Sequence, residues 1–74
     1  MITADKLALL INMPAALLEQ TLPVKGRPKL ARARFLGLTT AYEFCYAVTD
    51  TDGGEGKVFM NYDPTVDKVF GKLG

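Results

Sequence analysis

The sequence contains no histidine and only one cysteine, Cys45. Without histidine the usual general acid–base group at neutral pH is missing. One thiol cannot form an intramolecular disulfide, and with no imidazole beside it no ligand set remains for a structural zinc ion. Long apolar runs are missing as well. The early run Leu7-Ala8-Leu9-Leu10-Ile11 falls far short of the roughly 18 residues of a membrane span. Lys6 is its only basic flank, and Asn12 and Pro14 follow at once. Removing it as a signal peptide would destroy most of the only long helical segment, so it is expected to be retained. A lone thiol suits a reducing cytoplasm, which is the expected location.

What is present is globular in kind: 49% of the residues are hydrophobic and 23% charged, too apolar and too weakly charged for a disordered chain. At 74 residues the chain is one small domain spanning 1–74. Domains of this size bury only about 60% of their unfolded surface. Packing, self-association or attachment to something larger must supply the stability.

The stretch Tyr42–Thr49 carries the clearest pattern. Tyr42, Phe44, Tyr46 and Val48 alternate with Glu43, Cys45, Ala47 and Thr49, the period of a strand with one face on a core. Burying each of the four is worth about 1.5–3 kcal/mol, so this is expected to be the central strand. Before it, Leu30, Arg32, Arg34 and Leu36 alternate with Ala31, Ala33, Phe35 and Gly37. That predicts a first strand with arginines on one face and a bulge or bend at Gly37. Thr39-Thr40 forms the turn between them. Asp50–Gly56 reads as a hairpin loop, and Lys57–Tyr62 as a third strand with Val58, Met60 and Tyr62 on one side.

At the N-terminus Thr3 is a fair helix cap and Asp5 suits the first turn. Leu7, Leu10, Ile11, Pro14, Leu17 and Leu18 recur at helical spacing. Pro14 leaves two readings: a kinked helix from Thr3 to Gln20, or a short helix to Asn12 followed by a second starting at Pro14. Asp63-Pro64 resembles a helix start, and Val66, Val69, Phe70 and Leu73 have helical spacing, with Gly71 as terminator. The expected fold is therefore α+β in two layers. A helical segment over 1–22 packs on a small three-stranded antiparallel sheet over 29–62, SH3-like in its nearest variant. A short helical turn over 63–74 closes it.

No catalytic, cofactor or metal site is expected. Cys45 lies mid-strand with no basic neighbour to activate it, so it reads as structural. The acids of Asp50–Gly56 lack the spacing of a calcium loop, and no Gly-Lys-Ser/Thr phosphate loop follows a strand. The informative polar feature is Lys25, Arg27, Lys29, Arg32 and Arg34: five cations in ten residues, with no acid among them. The rest of the chain carries a net charge of −4. The plain reading is a solvated edge strand whose charge discourages aggregation. The functional readings are contact with nucleic-acid phosphates or with an acidic protein surface. Leu9 and Met13 extend the apolar surface of the helical segment beyond one stripe; the plain reading is a core helix with a broad face, and the functional one a partner-docking or dimerising helix presenting Leu9, Met13 and Leu17.

The leading expectation is a non-enzymatic interaction protein, a regulator or inhibitor of a larger protein or nucleoprotein machine. Compact chains of this kind are often encoded by bacteriophages or other mobile elements, with host RNA polymerase or a nucleic-acid-guided defence complex as target. The alternatives are a free-standing nucleic-acid-binding module using the basic strand over 25–34, and a structural homodimer.

Overall fold

The computed structural model describes residues 2–74. Two short helices, α1 (Ala4–Ile11) and α2 (Ala15–Gln20), precede four strands: β1 (Leu30–Leu38), β2 (Phe44–Asp50), β3 (Glu55–Asp63) and β4 (Lys68–Leu73). The strands form one antiparallel meander in the order β1-β2-β3-β4. Leu10, Met13, Leu18 and Leu22 from the helical segment pack onto Phe44, Tyr46, Val48, Val58 and Met60 from the sheet. The helices thus cover one face of the sheet and leave the other open.

The helical segment follows the second of the two readings. Thr3 caps α1, its hydroxyl accepting from the Lys6 amide at 3.2 Å. The chain then breaks, and Pro14 stands in extended conformation as the N-cap of α2. Glu19 ties α2 to the sheet by accepting from the Leu30 amide at 3.1 Å. At the far edge the Gly71 amide donates to the Thr21 carbonyl at 2.9 Å. A Cβ at position 71 would run into the Thr21 side chain, so glycine serves close approach there rather than helix termination.

The sheet has four strands, not three, and the expected C-terminal helical turn is β4. Val69, Gly71 and Leu73 pair with Tyr62, Met60 and Val58. Asp63 does cap, but it caps a turn: its carboxylate accepts the Thr65 amide at 2.9 Å and the Thr65 hydroxyl. Asp67, at φ 47°, then turns the chain back into the ladder. Apolar residues at 69, 70 and 73 satisfy helical and extended spacing equally over so short a stretch. Pairing decides, because a strand here satisfies the backbone groups along β3. Among the described residues β1 and β4 remain the two edges, so the sheet is open and not an SH3-like barrel.

Two details of phase also differ from expectation. Tyr42 is not on the core face; it is 80% exposed at φ 60°, in the loop that joins β1 to β2. That loop is built by Thr39, whose hydroxyl accepts the amides of Ala41 and Glu43. In β1 the pairing slips between Leu30 and Arg32 and again between Phe35 and Gly37. The first slip, at Ala31, lets Leu30 join the core even though Ala33 and Phe35 also face it, because a bulge shifts the alternation by one residue.

Candidate binding surface on the open sheet face

Residues paired across antiparallel strands share a face, so the open face can be read from the register. With Phe44, Tyr46 and Val48 turned to the helices, Cys45, Ala47 and Thr49 of β2 point the other way. Arg32 pairs with Thr49, and Arg34 with Ala47. Across β2, Thr49 pairs with Glu55, Ala47 with Lys57 and Cys45 with Phe59. Across β3, Phe59 pairs with Lys72 and Asn61 with Phe70. The centre of the face is floored by small side chains, with Arg32 and Arg34 on the β1 side and Lys57 beside the acid Glu55 on the β3 side. The result is an open trough of about 890 Å³ lined by Arg32, Arg34, Ala47, Thr49, Glu55 and Lys57 among others.

The cations of this trough are not used by the fold. The ion pairs among the described residues join Lys6 to Asp67 at 3.2 Å and Lys72 to Glu43 at 3.1 Å; neither involves Arg32, Arg34 or Lys57. The two aromatic rings on the face stand under ammonium groups. Lys72 lies 5.9 Å from the Phe59 centroid and Lys68 5.4 Å from that of Phe70, within cation–π range.

The basic run expected from sequence is therefore divided. Arg32 and Arg34 point outward from β1. Lys25 and Lys29 are exposed in the connector before it. Arg27 turns inward: its guanidinium donates to the Leu22 carbonyl at 2.6 Å and to that of Gln20 at 3.4 Å. It closes the C-terminal end of α2, a common use of arginine there, and is not available as a partner contact. The docking set divides too. Leu9 and Leu17 are exposed on the helical layer, joined there by Leu7 and Ile11, whereas Met13 is 8% exposed and belongs to the core.

Lys57, Phe59 and Phe70 escaped sequence reasoning. For the first two the signal was present, since alternation with Val58 and Met60 puts them opposite the core. Phe70 was hidden by the helical reading of β4.

The acidic hairpin is organised by its own backbone. In the hairpin, the Asp50 carboxylate accepts the amides of Asp52 at 2.9 Å and Gly54 at 2.7 Å. Cys45 is a buried free thiol. Among the described residues no helix is long and apolar enough to cross a membrane. Compared with protein-family models, with curated proteins and with solved structures, the chain matches none.

Proposed function

We propose that this protein is a non-enzymatic interaction module that regulates or inhibits a larger protein or nucleoprotein assembly. The observation that carries this reading is the separation of two surfaces. Exposed Leu9 and Leu17 lie on the helical layer, and Arg32, Arg34 and Lys57, which join no ion pair among the described residues, stand on the opposite face. Apolar area supplies affinity, while an unpaired cationic face speeds and orients association with an anionic partner. A machine that handles nucleic acid, such as a host RNA polymerase or a defence complex met by a bacteriophage or other mobile element, offers both kinds of partner surface.

The test is affinity capture from a bacterial lysate with wild type, Arg32→Glu/Arg34→Glu and Leu9→Glu/Leu17→Glu in parallel. One specific partner is expected, reduced by each double variant. Recovery of none above background, or equal recovery with all three, refutes the reading. Light scattering on the pure protein separates the homodimer, which would show twice the monomer mass and would lose it in Leu9→Glu/Leu17→Glu.

A further inference from the structure

We propose that the open sheet face binds single-stranded nucleic acid, with phosphates in the trough and bases on Phe59 and Phe70. The inference rests on the reading of this face as a binding surface and names its ligand. Arg34 and Lys57 flank Ala47 two strands apart, which is about 10 Å at the usual strand spacing. Their side chains rise above a floor of alanine and threonine, so a polymer backbone can sink between them.

Charge complementarity alone would suit an acidic protein equally well. The rings favour nucleic acid. Phe59 follows Lys57 by two residues on β3, and Phe70 lies one row further along on β4, so the rings continue the line of the trough with Lys72 and Lys68 beside them. Phe70 is 46% exposed on a face with no covering layer. Aromatic side chains next to a cationic groove are the general means of holding single strands, because every base has a face to stack. A base entering over Phe70 displaces the Lys68 ammonium group now above it and turns that group towards a phosphate, whereas Lys72 over Phe59 stays paired with Glu43.

Fluorescence anisotropy with labelled oligo-dT and oligo-U of about 12 nucleotides tests this. Both should bind at about 50 mM salt, with a log–log salt slope near −2 if three cations meet phosphates, hence about a 15-fold loss by 200 mM. Arg32→Glu/Arg34→Glu should abolish binding. Phe70→Ala should weaken it about 5- to 150-fold at unchanged salt slope, its fold checked by circular dichroism. Leu9→Ala/Leu17→Ala, exposed on the helical layer behind the sheet, should change it less than about threefold, since it alters no charge and lies on the opposite layer, at the level of ordinary surface substitutions.

No binding of either strand at low salt overturns the inference. So does duplex binding as tight as single-strand binding together with an indifferent Phe70→Ala, which would mean charge without stacking. If oligonucleotides fail while Arg32→Glu/Arg34→Glu still loses a captured partner, the face binds protein and only this inference falls. If oligonucleotides bind and no partner is captured, the docking reading falls instead.

Discussion

Replacing Tyr46 with phenylalanine removes one oxygen atom, yet it should destabilise the whole domain, because that hydroxyl stands in for a missing backbone donor. In an unbroken helix the Leu10 carbonyl would accept from the amide four residues on. That residue is Pro14, which has no N–H. The Tyr46 hydroxyl donates to the Leu10 carbonyl from the middle of β2, and both residues are only 1% exposed. Tyr46→Phe keeps the ring, so no large cavity opens, but a buried carbonyl is left without a partner. An unsatisfied buried group costs about 1–3 kcal/mol. For a domain of this size each kcal/mol lowers Tm by about 4–8 °C, so a fall of roughly 4–24 °C is expected in thermal melts, with a matching shift in urea midpoint. A change below about 0.5 kcal/mol, the level of ordinary surface substitutions, would refute the reasoning.

The same hydroxyl can be read by titration. Burial pushes the Tyr46 pKa up to about 12. The folded state thus holds the proton more tightly than the unfolded chain, whose tyrosines titrate near pH 10. Its contribution is complete below about pH 10 and is lost as pH rises towards 12, at about 1.4 kcal/mol per pH unit and so on the order of 2–3 kcal/mol in all. In Tyr46→Phe this alkaline loss should shrink to what Tyr62 contributes. The Tyr62 pKa is also raised, chiefly by its hydrogen bond to Asp67.

Two further predictions concern the turns. The hydrogen bond from the Tyr62 hydroxyl and then the contact with Lys6 hold the Asp67 carboxyl below its usual range. Its contribution is therefore present above the ordinary carboxylate pKa of about 4 and lost as pH falls through the lower folded value. Asp67→Asn, which accepts the same positive φ, should give melts that depend less on pH in the acid range, and an unchanged acid slope would count against the contact. Tyr42 spends its ring in solvent while holding a left-handed backbone. Tyr42→Asn should raise stability by about 0.5–1.5 kcal/mol by urea denaturation, and a loss would mean that the exposed ring packs on its neighbours.

Legibility followed the strength of local periodicity. Phe44, Tyr46 and Val48 were read correctly as core because strict alternation in an aromatic, β-branched run has one good solution. Thr3 was legible as a cap because capping is chemistry between neighbours in sequence. Tyr42 failed because alternation says nothing of where a strand begins, and the hydroxyl of Thr39 captures the chain before it can pair. β4 failed for a different reason: six residues do not separate a period of 2 from one of 3.6, and the deciding influence is the long-range partner β3.

The candidate site was less legible than the core, although the two are set by one choice of register. Turning Tyr46 and Val58 towards the helices fixes Ala47 and Lys57 on the opposite face with no further instruction, so the floor and one wall of the trough follow from core packing. The other wall does not. In an unbroken strand Leu30 would share a face with Arg32 and Arg34, so either a leucine would lie in solvent or two guanidinium groups would enter the core. The bulge at Ala31 removes that conflict, since an extra unpaired residue reverses the sides of what precedes it. The Arg pair thus owes its exposure to a defect in the ladder that no count of apolar and polar positions reveals. Deleting Ala31 should therefore close the bulge while Leu30 keeps Asp50 as its partner and its place in the core, so the urea midpoint and the outward side of Arg32 and Arg34 should both survive; a large fall in that midpoint would mean that the fold needs the bulge for something other than the side it gives Leu30.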